Sequence, residues 1–258
     1  MNTHPLIHTL LYGDPGIGKS MAAATWPKPM LVFCFDPIGK DQPYLEQGEP
    51  QGVFLGEDGT PWQHVVHPTN PEEILITLGY FFDLNPTRAE FRQQISAYER
   101  FQEYLVYTKY EDYATIVLDS LSGFRDAVVR LNQFKLNPSS KSGQQAHGLQ
   151  WYGAAAQAIR NEVMATLCYV MTNVVVVAHV SKQKDDMRGY YVYGFGAPGQ
   201  LSTDLAQTFS EVYYVYTKRG GDGRHQVFFQ TEASEEYLAQ THIHAPNPCA
   251  PTYEALWR

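Results

Sequence analysis

Residues 13–20 read Gly-Asp-Pro-Gly-Ile-Gly-Lys-Ser, the complete pattern G-x-x-x-x-G-K-[ST] of a phosphate-binding loop. An apolar run at 6–12 precedes the loop and small residues follow it, so it lies between a predicted strand and a predicted helix. Glycines let backbone N–H groups turn toward a phosphate, and the start of a helix adds positive potential. We therefore expect a nucleoside triphosphate to be bound by Gly13, Asp14, Pro15, Gly16, Ile17, Gly18, Lys19, Ser20 and Met21.

Two side chains of this loop and one distant acid form the predicted catalytic and metal set. Lys19 is expected to reach the β- and γ-phosphates, and the Ser20 hydroxyl to join the shell of a bound Mg²⁺. Asp119 ends the apolar run 113–118, about 100 positions after Lys19, where an acid can hold Mg²⁺ partly through water. Asp119 or Ser120 can also cap the helix predicted from residue 121, and the two roles can coexist.

A histidine and a second acid end two further apolar runs. His179 follows the run 173–178, and its side chain is predicted to sense the γ-phosphate; the alternative is a histidine that only caps the strand. Asp36 follows the run 30–35. Continuous apolar runs of this length are typical of parallel strands that are covered on both faces.

The length and charge of the chain restrict its function. The 258 residues carry a formal net charge of −8, so contact with nucleic acid must be local rather than made by a basic surface. The three cysteines lie far apart and no signal peptide or membrane-spanning run is visible, which predicts a cytoplasmic location. We expect a single domain at 1–258, with a core at about 5–232 and a C-terminal tail at 233–258.

The remaining patterns predict an α/β fold with a mostly parallel central sheet and antiparallel C-terminal strands. The predicted helices are 71–82, 87–110, 121–134 and 150–171, and 135–148 is predicted as a loop. A further strand is predicted at 62–66, and the antiparallel strands at 190–195, 212–217 and 225–231.

The order of these motifs resembles the RecA-like ATPases of bacteriophages. The motifs are GDPGIGKS, a strand ending FDP, TIVLDS, a helix beginning WYG, VVVVAH and a later PGQLS, spread over about residues 5–232. In particular, the sequence resembles the phage nucleotide-binding proteins grouped with single-strand annealing ATPases. The resemblance implies a three-layer RecA-like P-loop sandwich that binds ATP and Mg²⁺, hydrolyses ATP at a subunit interface and assembles into a homo-oligomeric ring or filament.

The resemblance also implies a role on single-stranded DNA in recombination, annealing, replication or repair, with a single-strand-binding protein as a further partner. By position, Asp119 matches the acid near Mg²⁺, and His179 matches a sensor that leads into a DNA-facing loop at 181–199. Residues implied to contact DNA phosphates or bases are Lys182, Lys184, Arg188 and Tyr190, Tyr191 or Tyr193. The alternative for this segment is a solvated hairpin.

The sequence departs from the RecA-like pattern at one catalytic position. These enzymes usually carry a glutamate two residues beyond the acid that ends the second strand, and Ile38 stands there. Either Asp36 acts as the base, or Asp41 or Glu46 reaches the site, or hydrolysis is weak; position favours Asp36. Lys40 is a candidate contact to nucleotide or to a neighbouring subunit.

A RecA-like ring also needs a cation delivered from the neighbouring subunit to the developing phosphate charge. Lys218 and Arg219, in a predicted hairpin turn, are the candidates, with Arg224 third.

Two other functions are compatible with the sequence. The first is a nucleotide-gated ring or assembly protein with weak hydrolysis and no direct DNA role, which Ile38 and the net charge of −8 favour. The second is a small-molecule kinase whose lid would carry Arg88, Arg92 and Arg100. The strand ends at Asp119 and His179 argue against the kinase.

Overall fold

The structure is a computed structural model, and it describes residues 4–36, 44, 50–53, 76–81, 88–93, 95–136, 144–184, 191–195, 201–221 and 223–258. Outside these residues lie the predicted strand at 62–66 and the side chains of Ile38, Lys40, Asp41, Glu46, Arg188 and Tyr190. Within them, the chain forms ten strands and six α-helices.

The strands form one sheet. In chain order they are β1 (His8–Gly13), β2 (Met30–Cys34), β3 (Pro50–Val53), β4 (Ile76–Tyr80), β5 (Thr115–Asp119), β6 (Asn173–Lys184), β7 (Tyr191–Phe195), β8 (Glu211–Arg219), β9 (His225–Gln230) and β10 (Gln240–Thr241). The spatial order is β10-β8-β1-β6-β5-β2-β4-β3, with β7 paired to β6 and β9 to β8. Neighbours from β8 to β3 are parallel, and β7, β9 and β10 are antiparallel to their partners. The mostly parallel sheet and the antiparallel strands at 190–195 and 225–231 are as predicted, whereas the strand at 212–217 also pairs in parallel with β1, and β10 was not predicted.

The α-helices are α1 (Lys19–Ala23), α2 (Arg88–Gln93), α3 (Ala97–Tyr107), α4 (Leu121–Leu131), α5 (Gln144–Ala158) and α6 (Leu201–Thr208). Short π-helical segments at Asn132–Leu136 and Ile159–Met164 extend α4 and α5, and 3₁₀ turns lie at Tyr110–Asp112, Leu167–Tyr169 and Glu254–Trp257. No helix in the described ranges combines the length and apolar character needed to cross a membrane.

The apolar strands build a separate core on each face of the sheet. Successive side chains of a strand point to opposite faces, so Leu10 and Tyr12 of β1 lie in one buried cluster and Leu11 lies in the other. The first cluster packs against α3, α4, α5 and α6, and the second against α1 and the C-terminal 3₁₀ turn. Two covered faces make the three-layer α/β sandwich that was predicted.

The register brings the ends of four strands to one edge. Gly13 of β1 pairs with His179 of β6, and Asp119 of β5 pairs with Cys34 of β2. The phosphate-binding loop follows β1, so it faces Asp119 across β6.

Three predictions of secondary structure are wrong. The described part of the predicted helix 71–82 is strand β4, whose Ile76 and Leu78 are fully buried and which lies between β2 and β3. Its β-branched and aromatic residues favour a strand. Within the predicted loop 135–148, the described ends are helical, because Lys135 belongs to the turn after α4 and α5 begins at Gln144. The predicted helix 150–171 leaves the α-helical form after Ala158.

Two other boundaries differ. The predicted helix 87–110 is divided into α2 and α3, and α3 starts with a capping box in which Ser96 and Glu99 bond each other's backbone N–H groups. β6 does not end at residue 178 but continues to Lys184, because β7 replaces β1 and β5 as its partner beyond His179.

Candidate nucleotide-binding site

The backbone of the loop depends on glycine at three positions. Gly16 and Gly18 have positive φ angles of 74° and 99°, which residues with a Cβ atom rarely adopt. At Gly13, an added Cβ would lie 2.5 Å from the carbonyl oxygen of Val215 in β8. The first glycine is required by the close approach of β8, and the other two by the turn of the loop.

Lys19 is held inside its own loop. Its side chain is only 5% exposed, and its Nζ donates to the carbonyl oxygens of Gly13 at 3.0 Å and Asp14 at 2.8 Å. These bonds satisfy a buried ammonium group with neutral acceptors. Phosphate oxygens are stronger acceptors because they are charged, so a bound triphosphate can compete for this lysine.

Ser20 and Asp119 meet across the sheet although 99 positions separate them. The Ser20 Oγ donates to Oδ2 of Asp119 at 2.6 Å. Asp119 is 4% exposed and Ser20 is half-buried, so this bond is partly buried. The structure thus brings together the two residues that the sequence predicts to hold Mg²⁺.

A third side chain at this point was missed by the sequence analysis. The hydroxyl of Tyr44, a fully buried residue, also donates to Oδ2 of Asp119, at 2.7 Å. Its ring belongs to the core cluster on the α1 face of the sheet. The signal for it was weak, since Tyr44 stands alone in a segment rich in glycine, proline and charge.

Burial controls the ionisation of both partners in this cluster. Burial, together with the charge of Asp36, raises the pKa of Asp119, whereas hydrogen bonds from Ser20 and Tyr44 and the charge of Lys19 lower it. Burial and the adjacent Asp119 carboxylate raise the pKa of the Tyr44 hydroxyl well above its usual value. Tyr44 is therefore a neutral donor at any physiological pH.

The chemistry of this cluster fits magnesium. Mg²⁺ prefers oxygen ligands, and proteins usually hold it with one or two carboxylates together with substrate phosphates and water. Ser20 and Asp119 supply such oxygens next to the loop. In the described ranges, no group of three His, Cys, Asp or Glu side chains could hold a metal alone. Ser20 and Asp119 therefore fit a magnesium site whose remaining ligands are phosphate oxygens of the nucleotide and water.

Asp36 lies beside the same strand end. Its Oδ1 accepts a hydrogen bond from the Ser120 hydroxyl at 3.2 Å, and the same hydroxyl accepts from the backbone N–H of Gly123. Ser120, and not Asp119, is therefore the N-cap of α4. Asp41 and Glu46, which are the alternatives to Asp36 as the catalytic base, lie outside the described residues.

A protein-family model described as an AAA domain matches residues 7–242. The chain belongs to the AAA domain family. The predicted P-loop ATPase class and its α/β fold are thereby confirmed, while the narrower likeness to phage ATPases stays a prediction. A search of curated protein sequences finds no match.

Solved structures that resemble this AAA domain are distant. The flagellar accessory protein FlaH from Methanocaldococcus jannaschii is 8% identical over 87% of this chain and 78% of its own, with a TM-score of 0.38. The RadB recombinase is 13% identical over 88% of both chains, with a TM-score of 0.37. A type III secretion ATPase of pathogenic bacteria is 8% identical over 81% of this chain and 52% of its own, with a TM-score of 0.41. Similarity at this level carries no inference about function.

His179 occupies the position between the loop and the antiparallel strands. It is the last residue of β6 that pairs with β1, opposite Gly13, and its side chain is half-buried. From Val180 onward β6 pairs with β7. In this AAA domain the predicted sensor is thus one residue away from the β6–β7 hairpin.

The β6–β7 hairpin carries two lysines and two tyrosines that were predicted to contact DNA. Lys182 is exposed, and its Nζ lies 5.3 Å from the centre of the Tyr193 ring, its partner across the hairpin. Lys184 pairs with Tyr191 at the end of the hairpin. Two lysines of β6 are therefore paired with two tyrosines of β7, and Arg188 lies outside the described residues.

Lys218 and Arg219 lie at the exposed end of β8. The Nζ of Lys218 is 5.4 Å from the centre of the Tyr216 ring, and Arg219 pairs with His225 of β9. The β8–β9 hairpin borders the phosphate-binding loop, because a Cβ added to Gly18 would lie 3.7 Å from the Val227 side chain.

Tyrosines connect the loop strand to the C-terminal segment. The Tyr12 hydroxyl donates to the carbonyl oxygens of Leu238 at 2.5 Å and Tyr193 at 3.2 Å. The rings of Tyr214 and Tyr237 stack beside it with centres 4.3 Å apart. The large number of tyrosines, 18 in the chain, was the available signal for this packing.

Proposed function

We propose that this AAA domain binds ATP with Mg²⁺ and hydrolyses it. The observation that carries the proposal is the 2.6 Å hydrogen bond between Ser20 and Asp119, which joins the phosphate-binding loop to the acid of the second motif. Lys19 is buried in the same loop, and its ammonium group donates to two backbone carbonyl oxygens that phosphate oxygens can replace. A glycine-rich turn without a nucleotide role has no need of this combination.

Each residue then has a chemical role. Lys19 and the loop N–H groups bind the phosphates. Ser20 and Asp119 would hold Mg²⁺, which would offset negative charge on the phosphate oxygens. Asp36 orients the attacking water and accepts its proton as the bond from the γ-phosphorus to the bridging oxygen breaks, giving ADP and phosphate. His179, next to the loop strand, responds to the presence of the γ-phosphate.

We further propose that this ATPase acts on single-stranded DNA, as the resemblance to phage annealing ATPases implies. The support is the exposed Lys182 above Tyr193, since cations that follow a backbone beside aromatic rings suit single strands. Lys184 and Arg188 would extend this contact. A homo-oligomeric ring or filament, in which Lys218 and Arg219 act on the neighbouring subunit, completes the proposal.

The first test is ATP turnover with Mg²⁺, with and without single-stranded DNA, and with Lys19→Ala as the blank. Stimulation by DNA that disappears in Lys19→Ala supports the recombination ATPase. Tight ATP binding with negligible turnover, unaffected by DNA, would contradict it and support the nucleotide-gated assembly protein.

A second pair of variants tests the DNA contact. Lys182→Ala should reduce DNA stimulation while leaving basal turnover unchanged. Lys109→Ala is the matched control, because Lys109 is an exposed lysine before β5, at the opposite edge of the sheet. Equal effects of the two variants would remove Lys182 from the interface.

We also propose that residues 1–258 act as one domain. The support is the packing of the C-terminal segment on the core: the Tyr253 backbone N–H donates to Thr25 Oγ1 at 2.9 Å, and Cys249 exchanges two backbone hydrogen bonds with Phe229. A chain truncated after Thr231 should therefore unfold at lower denaturant concentration than the whole chain.

A further inference from the structure

Tyr44 is the least expected member of the nucleotide site. It is fully buried, and its ring packs in the core cluster that contains Trp26, Val32 and Leu78. A ring enclosed in this way cannot move far, so the direction of its hydroxyl is set by packing. That hydroxyl donates to Oδ2 of Asp119 at 2.7 Å.

The Ser20 hydroxyl donates to the same oxygen at 2.6 Å. A carboxylate oxygen has two lone pairs, so the two hydroxyls together occupy Oδ2. In the described part of the chain, no hydrogen bond reaches the other oxygen, Oδ1. The carboxylate is thus held through one oxygen by two donors from different elements, and the second oxygen is left for another partner.

The two donors are not equivalent. Ser20 lies in the phosphate-binding loop, and its oxygen is itself a ligand in the proposed magnesium site. Tyr44 has a rigid aromatic ring and lies in a different segment. Only Tyr44 can therefore hold Asp119 without also belonging to the metal shell.

We propose that Tyr44 is a positioning residue for the magnesium site, a role that rests on the proposed function. It fixes the Asp119 carboxylate beside Ser20, where metal and nucleotide are proposed to bind, and leaves Oδ1 for a further partner. Without this donor, the carboxylate can rotate about its terminal bond and Ser20 alone has to orient it. The loss should appear as a higher demand for Mg²⁺, while the phosphate contacts of Lys19 are unaffected.

The test compares Tyr44→Phe with Tyr213→Phe. Tyr213 is a matched control, since it is also fully buried in the same cluster and its hydroxyl donates to the carboxylate of Glu211 at 2.6 Å, away from the loop. For each protein, the binding of a fluorescent non-hydrolysable ATP analogue is titrated at a series of Mg²⁺ concentrations and again with EDTA.

We expect Tyr44→Phe to need about tenfold more Mg²⁺ for half-maximal binding, as for the loss of one hydrogen bond to a charged group. Binding in EDTA should be unchanged, and Tyr213→Phe should match wild type in both conditions. Tyr44→4-aminophenylalanine, which keeps a donor at the same place, should restore the Mg²⁺ requirement of wild type and provides a folded comparison if Tyr44→Phe is unstable.

The inference would be overturned by an unchanged Mg²⁺ requirement in Tyr44→Phe, by an equal shift in Tyr213→Phe, or by a failure of the amino variant to restore binding. Weaker binding of Tyr44→Phe in EDTA would also contradict it, because the tyrosine would then support the loop as a whole. Failure of the proposed function gives a different pattern, in which wild type binds the analogue no better than Lys19→Ala.

Discussion

The two edges of the central sheet both carry buried polar side chains, but they use them differently. At the amino edge, Asn173 accepts a hydrogen bond from the Ile7 backbone N–H at 3.0 Å and donates to the Ala114 carbonyl oxygen at 2.9 Å. Thr172 likewise donates to the carbonyl oxygen of Tyr113. All of these partners are backbone groups that cannot be released without breaking the fold.

At the carboxyl edge, polar side chains bond mainly to each other. Ser20 and Tyr44 donate to Asp119, and Ser120 donates to Asp36. Such bonds can be exchanged for a ligand without loss of backbone pairing, and the charge they enclose is negative. The comparison teaches that burial of polar groups alone does not mark a site; what distinguishes the site is that their partners are side chains rather than backbone groups.

The largest effect is expected for Asp119→Asn, which tests whether the polar cluster at the carboxyl edge is needed for catalysis rather than for stability. We expect Mg²⁺-dependent ATP turnover to fall about 100-fold or more, because the charge next to the metal is lost while the shape is kept. The free energy of unfolding should be unchanged or higher, since a buried charge is removed. Turnover assays and urea denaturation on the same preparation provide the check, and retained turnover would remove Asp119 from the metal site.

The opposite result is expected at the amino edge. Asn173→Ala leaves buried backbone groups without their partners and should lower the free energy of unfolding by about 2–4 kcal/mol. The affinity for ATP should not change in protein that remains folded. Asn161→Ala is the control, because Asn161 is exposed and its loss should cost less than about 0.5 kcal/mol. Similar stability for the two variants would contradict the structural role of Asn173.

Gly123→Ala tests whether the close contact between α4 and Phe35 positions Asp36 at the carboxyl edge. An added Cβ would lie 2.8 Å from the carbonyl oxygen of Phe35, so α4 or the end of β2 must shift, at a cost of about 1–3 kcal/mol. Because Asp36 follows Phe35, we expect kcat to fall while the affinity for ATP is kept.

Gly153→Ala, in α5, is the matched control for this variant. An added Cβ there meets nothing within 4 Å, and alanine favours a helix over glycine by about 1 kcal/mol. Stability should therefore rise slightly with kcat unchanged. An equally low kcat in both alanine variants would mean that the Phe35 contact does not position Asp36.

The smallest effect concerns pH at the amino edge. Burial lowers the pKa of His8 below its usual value of 6.5, although its ring contacts the carbonyl oxygen of Thr172. The unfolded chain then binds the proton first, so stability is lost as pH falls from about 6.5 through the folded pKa. Urea denaturation between pH 7 and pH 5 should show a steeper loss for wild type than for His8→Gln; parallel curves would contradict it.

The sequence was most informative at positions where the backbone or the burial of an element allows only one type of residue. The glycines and Lys19 follow from the phosphate-binding loop, and the valine-rich run of β6 could only be a buried strand. The meeting of Asp119 with the loop followed from strand ends sharing one edge of a parallel sheet. These inferences needed only local pattern and general topology.

The rest depended on long-range packing that no local pattern records. Ile76–Tyr80 has the composition of a strand but also the apolar spacing of a helix, and only its place between β2 and β3 decides. Tyr44 approaches Asp119 from 75 positions away with no periodicity around it. The continuation of β6 past His179 depends on β7, which comes later in the chain.

The length of β6 has a structural consequence. Its 12 residues span about 40 Å at roughly 3.3 Å per residue. The first part of the strand pairs with β1 and β5, and the last part pairs with β7 in the hairpin. His179, beside the phosphate-binding loop, and Lys182, on the β6–β7 hairpin, therefore lie three residues apart on one continuous strand. The described backbone between the loop strand's last partner and the hairpin lysine contains no turn.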